Sequence, residues 1–250
     1  MATSDKMIGS SAAWAAGYTG AGSRIAIIDT GADVDHPSLD PDALKYALQG
    51  SNATIMTEAD LTDEVLNQLN AYTRKAGLTA ADFYVNEKIP FGFNYVDADT
   101  DITHDNDTQG DHGSHVTGIA AGNRFVKDEA GNYVAALDSV MTQGVAPDAQ
   151  ILTMKVFGKR GGAYDSDYMV AIEDAMVLGA DAANLSLGGS FPGYSEYTEE
   201  KYRHILDEIV GSGMVVTISA GNSGSWFDQT AFGLPYAGSV NWATNGSPGS

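Results

Sequence analysis

Short apolar runs alternate along this chain with segments in which apolar residues recur every three or four positions. The apolar runs cover residues 24–29, 150–157, 182–187 and 214–219. They are rich in Val, Ile and Leu, which is typical of strands that are buried on both faces. The alternation therefore predicts an α/β fold built on a parallel twisted sheet with helices on both faces.

Two amphipathic patterns predict helices that connect these strands. Residues 166–178 carry apolar side chains along one helical face, and residues 202–210 carry them at the spacing i, i+3, i+4, i+7, i+8. In a parallel sheet, functional residues gather at the carboxyl ends of the strands. Asp29 ends the first apolar run and Asn222 follows the last one, so both are expected at that end of the sheet.

The stretch between the first strand and residue 112 interrupts the alternation. Leucine, valine and tyrosine positions within 57–77 predict a further helix there. We interpret residues 45–90 as an insertion on the surface of the domain. The chain contains no internal repeat and no low-complexity linker, so residues 1–250 are expected to form one domain rather than two.

The composition narrows the classes of partner. Lys and Arg number 13 against 33 Asp and Glu, which gives a formal charge of −20. Phosphate backbones and anionic lipids repel such a chain, so we expect no nucleic-acid partner. No apolar run is long enough to insert into a membrane, and the first residues do not have the pattern of a signal peptide. The absence of cysteine excludes disulfides and thiolate chemistry.

Three short motifs carry residues suited to acyl transfer. They are Ile-Ile-Asp-Thr-Gly at 27–31, His-Gly-Ser-His-Val-Thr-Gly at 112–118 and Ser-Ala-Gly-Asn-Ser-Gly at 219–224. Taken singly, Asp29 is most simply a turn or cap residue, His112 an ordinary surface histidine and Asn222 a turn residue. Together, an acid, a histidine and an amide are three parts of a catalytic site, and the order of the motifs makes chance agreement improbable.

With Asn-Leu-Ser-Leu-Gly-Gly at 184–189 and Gly-Val-Ala-Pro-Asp-Ala at 144–149, the set resembles the subtilisin-like serine peptidases, and the large cell-envelope members in particular. The resemblance implies the subtilisin-like fold and an endopeptidase that works through an acyl-enzyme. It also implies that Asp29 orients His112, that His112 is the general base and then the general acid, and that the Asn222 side chain stabilises the oxyanion. It assigns His115 to packing and hydrogen bonding.

The same resemblance implies where a polypeptide substrate binds. One edge of the peptide-binding cleft is carried by Ser186, Leu187, Gly188 and Gly189, and the facing edge by Gly161 and Gly162. An extended peptide that pairs with such edges satisfies its own backbone groups, which suits glycine-rich strands. Simple turns are the competing explanation for Gly161 and Gly162.

An acidic loop raises the question of a metal. Aspartates at 97, 99, 101, 105, 107 and 111 could suit calcium, because hard cations favour carboxylate oxygens. An EF-hand loop would need glycine at Ile102 and glutamate at Thr108, so that motif is rejected. A solvated acidic loop is the competing explanation. The prediction is that no cofactor is required, with calcium binding left as an alternative.

The serine nucleophile has no evident place in this sequence. No Gly-x-Ser-x-Gly occurs, and no serine has the Gly-Thr-Ser setting that the family resemblance implies for the nucleophile. Ser114, Ser186 and Ser223 lie in motifs where other roles fit better. Two explanations compete: a fragment of a longer peptidase, or a peptidase-like protein that binds peptides without cutting them. We favour the fragment, expect it to be inactive and prone to self-association, and infer from the family resemblance an extracellular or cell-surface parent.

Overall fold

The computed structural model describes residues 2–105, 108, 110–188 and 196–219. Within these residues, helices α1 to α10 span Ala2–Ile8, Ser10–Ala15, Pro41–Ala47, Asp63–Leu66, Asn70–Arg74, Ala80–Phe83, His112–Ala121, Ala136–Ser139, Asp165–Val177 and Glu196–Ser212. Strands β1 to β7 span Arg24–Asp29, Phe91–Asn94, Phe125–Lys127, Tyr133–Ala135, Gln150–Lys155, Ala182–Leu185 and Val215–Ile218. Two short 3-10 helices cover Pro37–Leu39 and Glu58–Asp60.

The main sheet is parallel throughout its described part. Its strand order is β2-β5-β1-β6-β7, and β3 pairs with β4 in a separate antiparallel ribbon. The four strands predicted from the apolar runs are confirmed, each ending one or two residues earlier than predicted except β1. Strand β2 was not predicted. The α/β fold with a parallel sheet is confirmed.

Alternate residues of the central strand pack against opposite layers of helices. Ile28 of β1 belongs to a hydrophobic cluster that includes Ile172 of α9 and Ile205 of α10. Ile27 belongs to a second cluster, which includes Ala121 of α7. Because successive side chains of a strand point to opposite faces, this division places helices on both faces of the sheet, as predicted.

Helix α9 matches its predicted bounds to within one residue. Helix α10 contains the predicted segment, and Tyr202, Ile205 and Ile209 of it are buried. Val210 is 84% exposed, so its predicted place on the buried face is wrong. The buried face of α10 is formed by residues that are three and four positions apart, and Val210 lies beyond the edge of that face.

The segment 45–90 differs from its prediction in two ways. The predicted helix within 57–77 is instead a 3-10 turn followed by α4 and α5, each a separate short element. The segment is also not a surface decoration, because it adds several fully or almost fully buried apolar side chains to the main cluster: Leu61, Leu66, Leu69, Ala71 and Phe83. It is therefore part of the core.

A buried carboxylate fixes this segment to the sheet-covering helix α9. Asp174 accepts hydrogen bonds from the backbone N–H groups of Asn70 and Ala71 at 2.7 and 2.9 Å and from the hydroxyl of Tyr95 at 2.9 Å. Those N–H groups begin α5, where a helix has no internal acceptors. Burial raises the pKa of Asp174, and burial beside this carboxylate raises the pKa of Tyr95. The contact explains why a new helix starts at Asn70.

Candidate active site

Asp29 is the last residue of β1 and is fully buried at the carboxyl end of the sheet. Its Oδ1 accepts a hydrogen bond from the backbone N–H of Thr30 at 2.7 Å and lies 2.8 Å from Nδ1 of His112. A carboxylate only accepts hydrogen bonds, so the shared proton lies on Nδ1 of the imidazole. Asp29 and His112, which the resemblance implies act together, therefore lie within hydrogen-bonding distance.

His112 is the first residue of α7, and its side chain is 55% exposed although its partner is buried. With the proton on Nδ1, the neutral ring keeps a lone pair on Nε2. The arrangement leaves a base oriented by a buried carboxylate and open to solvent on its other side. Such a pair can take a proton from a hydroxyl group and return it.

Two glycines allow α7 to approach the end of β1 this closely. A Cβ on Gly113 would overlap the carbonyl oxygen of Gly31 and lie 3.0 Å from the Gly31 nitrogen. Gly31 itself has φ +103°, a left-handed conformation that favours glycine, and a Cβ there would overlap the carbonyl oxygen of Ile102. The small residues on either side of the Asp29–His112 pair are therefore required by the packing.

Thr30 joins the strand to the helix. Its Oγ1 accepts the backbone N–H of Gly113 at 2.9 Å, one of the helix-start donors that lack an acceptor within the helix. Lys155, the neighbour of Asp29 on β5, donates from Nζ to the carbonyl oxygen of Thr30 at 2.6 Å. Sequence reasoning missed both residues. The available signals were a threonine directly after the acid and a lysine ending an apolar run.

The first predicted substrate edge follows β6. Asn184 donates from Nδ2 to Oγ of Ser186 at 2.8 Å, and Oγ of Ser219 donates to the carbonyl oxygen of Leu187 at 2.9 Å. Gly188 is exposed, and Gly189 lies outside the described residues. Ser186 and Leu187 are thus held by neighbouring side chains, next to the exposed end of the strand.

The second predicted edge has the geometry of a turn. Gly161 and Gly162 have φ +87° and +80°, and the N–H of Gly161 donates to the carbonyl oxygen of Gly158 at 3.0 Å. Gly162 is exposed. The local geometry agrees with the competing explanation by turns, and a role in peptide binding stays a prediction.

Two further residues that the sequence analysis assigned are Asn222 and His115. Asn222 lies outside the described residues, beyond the end of β7 at Ile218. His115 is largely exposed, and its Nε2 lies 3.4 Å from Oδ2 of Asp111. A contact between two exposed side chains of this kind adds little to stability.

The first three carboxylates of the acidic loop have partners within the protein. Asp97 accepts the N–H of Lys159 at 3.0 Å, Asp99 lies 3.3 Å from its Nζ, and Asp101 accepts the hydroxyl of Thr103 at 2.8 Å. Among the residues that the structure describes, no group of three or more acidic or histidine side chains is arranged to hold a metal ion. Calcium binding stays a prediction, since Asp107 is not among them.

Comparison with known proteins identifies the family. Residues 20–248 match the profile of the subtilase family, Peptidase S8. The chain belongs to the subtilases. It is 34% identical to the PI-type proteinase of Lactococcus lactis subsp. cremoris over 83% of this chain, and 30% identical to the minor extracellular protease Vpr of Bacillus subtilis strain 168 over 87%. It is 29% identical to the C5a peptidase of Streptococcus pyogenes serotype M6 over 92%.

The chain spans only part of these relatives. The matched region is 10% of the lactococcal proteinase, 20% of Vpr and 17% of the C5a peptidase. In this chain the motifs that contain Asp29 and His112 lie at the end of β1 and the start of α7, where the two side chains meet. No helix in the described part is both long enough and apolar enough to cross a bilayer.

Proposed function

We propose that residues 1–250 form an incomplete subtilisin-like peptidase domain that supplies the acid and the base of a serine endopeptidase. The observation that carries the proposal is the 2.8 Å contact between Oδ1 of Asp29 and Nδ1 of His112, with Asp29 buried and His112 open to solvent. Membership of the subtilase family and relatives named as proteinases support it.

In the proposed mechanism, Asp29 holds His112 in the tautomer with the proton on Nδ1 and stabilises the imidazolium that forms. Nε2 takes the proton of a serine hydroxyl as that oxygen attacks the peptide carbonyl, and then gives it to the leaving amine. Asn222 donates to the oxyanion of the tetrahedral intermediate. Water then hydrolyses the acyl-enzyme with His112 again acting as the base.

We further propose that the nucleophilic serine is not among these 250 residues, so the chain alone has no peptidase activity. The substrate is a polypeptide that lies along Ser186 to Gly189 and, on its other side, along Gly161 and Gly162. No cofactor takes part in this scheme. The relatives, one of them named an extracellular protease, support an extracellular or cell-surface location.

Point variants of the natural protein that carries this chain test the proposal. In triad peptidases, loss of the histidine lowers turnover by on the order of 10⁶ and loss of the aspartate by on the order of 10⁴, magnitudes known for subtilisin itself. We therefore expect His112→Ala and Asp29→Asn to abolish hydrolysis of casein nearly completely. His115→Ala, on the same helix and exposed, is the matched control and should change the rate by less than a few fold.

A non-catalytic peptide-binding module is the second candidate, because the chain has no Gly-Thr-Ser sequence, the setting in which the family resemblance places the nucleophile. The two candidates differ in their products. If the natural protein binds an extended peptide and returns it intact, while His112→Ala leaves binding unchanged, the second candidate is correct. Self-association of the isolated chain stays a prediction that sedimentation can test.

A further inference from the structure

Lys155 is a buried cation in an otherwise unremarkable strand. Every residue of β5 is buried, and Lys155 is 1% exposed. Lysine is almost never buried so completely unless its ammonium group has partners, because removing the charge from water costs several kcal/mol. What the ammonium group contacts therefore decides why a lysine occupies this position.

The register of the sheet brings this ammonium to the turn that follows the catalytic acid. Asp29 and Lys155 are direct neighbours on parallel strands β1 and β5, and Nζ donates to the carbonyl oxygen of Thr30 at 2.6 Å. The N–H of the same residue, Thr30, donates to Oδ1 of Asp29. Thr30 is therefore held at both of its backbone polar groups.

This turn also holds helix α7, which carries His112. The hydroxyl of Thr30 accepts the N–H of Gly113, the residue directly after His112. The contact is tight, because a Cβ on Gly113 would lie 3.1 Å from that same hydroxyl oxygen. A shift of Thr30 would therefore move the start of α7 relative to Asp29.

We propose that Lys155 is a positioning residue of the Asp29–His112 pair, acting through the carbonyl group of Thr30. Its ammonium group fixes the turn that directly follows Asp29. The effect of Lys155 on catalysis rests on the function proposed above, whereas its effect on the geometry of the Asp29–His112 pair does not. The effect on the geometry can therefore be tested without measuring activity.

The chain offers a matched control in a second buried lysine. Lys88 is 0% exposed, and its Nζ donates to the carbonyl oxygens of Pro147 and Ala149 at 2.9 and 2.8 Å. These acceptors precede β5, whereas Asp29 lies beside its last residue. Lys88→Met therefore removes the same kind of hydrogen bond, just before the start of β5, without touching the turn at Thr30.

The test is the imidazole NMR spectrum of His112 in the 250-residue chain. The wild type should show a slowly exchanging, low-field Nδ1–H proton, and Lys155→Met should lose that signal or shift it strongly. Lys155→Arg should retain part of it, because the guanidinium group can still donate. Lys88→Met should keep the signal even though its urea midpoint falls.

Two outcomes would overturn the proposal: an unchanged Nδ1–H signal in Lys155→Met, or its equal loss in Lys88→Met. If Lys155→Met does not fold, Lys155→Gln, which has a shorter and uncharged side chain, decides by the same signal, and an unchanged signal and exchange rate in that variant would overturn the proposal. In the natural protein we expect Lys155→Met to lower kcat by about 10²-fold at nearly constant KM, since a misplacement of about 1 Å has such an effect. An inactive natural protein together with the expected spectra would overturn the proposed function and leave the positioning role intact.

Discussion

Gly113→Ala should separate Asp29 from His112 by forcing the helix away from the strand. The added Cβ would overlap the carbonyl oxygen of Gly31, and it would lie only 3.0 Å from the Gly31 nitrogen. Because non-bonded carbon contacts are most favourable near 3.5–4.0 Å, the start of α7 must move by about 1 Å. The 2.8 Å bond of His112 to Asp29 and the 2.9 Å bond of Gly113 to Thr30 are then stretched or lost.

The expected loss of stability follows from these contacts. Overpacking of a close contact costs typically about 1–3 kcal/mol, and the hydrogen bond to the carboxylate adds about 1.5–3 kcal/mol if it is broken. We therefore expect Gly113→Ala to lower the free energy of unfolding by about 2.5–6 kcal/mol if that bond is broken. Urea denaturation followed by far-UV circular dichroism measures the change.

Gly118→Ala is the matched control, because it makes the same substitution in the same helix. A Cβ on Gly118 would have no heavy atom within 4 Å outside its own helix backbone, so it should stabilise the protein by about 0.5–1 kcal/mol. The reasoning is refuted if Gly113→Ala is as stable as Gly118→Ala and retains the Nδ1–H signal of His112. Equal destabilisation of both variants would also refute it, since the close approach would then not matter.

Two further predictions concern buried ionisable groups. Burial lowers the pKa of Lys88 to about 7. Between pH 7 and about 10 the unfolded chain therefore binds one more proton at this lysine than the folded protein does. The folded protein becomes more stable as the pH rises through this range. This increase in the free energy of unfolding, compared with Lys88→Met, should be at most about 5 kcal/mol and should appear in urea midpoints measured from pH 6 to 10. A difference between the two proteins that does not change with pH would contradict it. Asp174→Ala should cost about 3–5 kcal/mol, because it leaves the buried donors of Asn70, Ala71 and Tyr95 without their acceptor. Asp207→Ala, at an exposed position of α10, is its control and should cost less than about 1 kcal/mol.

The sequence made the central strands predictable because each is a run of apolar residues of the right length. Strand β2 escaped prediction because Phe91–Asn94 is short and includes Gly92, a residue that weakens strands in general. The segment 57–77 was predicted as one helix because its apolar spacing is helical over a long stretch. The helix is divided by a tertiary contact, the carboxylate of Asp174 about a hundred residues later, and local patterns do not report such contacts.

Some residues of the site could be predicted from the sequence, and others could not. Asp29 and His112 lie in motifs that local sequence reveals, and their contact follows from the fold that those motifs imply. Lys155 acquires its place only when β5 pairs with β1 in one particular register, and Thr30 only when α7 packs against that turn. A register change of one residue would turn Lys155 to the other face of the sheet. Residues that position a site through distant partners therefore need the structure.

Covalent labelling with a fluorophosphonate probe tests the central claim most directly. The natural protein that carries this chain should be labelled at a serine outside residues 1–250, and the labelling should disappear in His112→Ala but not in His115→Ala. The isolated 250-residue chain should take up no label and leave casein intact. Labelling of a serine within the chain, or labelling of the natural protein that persists without His112, would contradict the account.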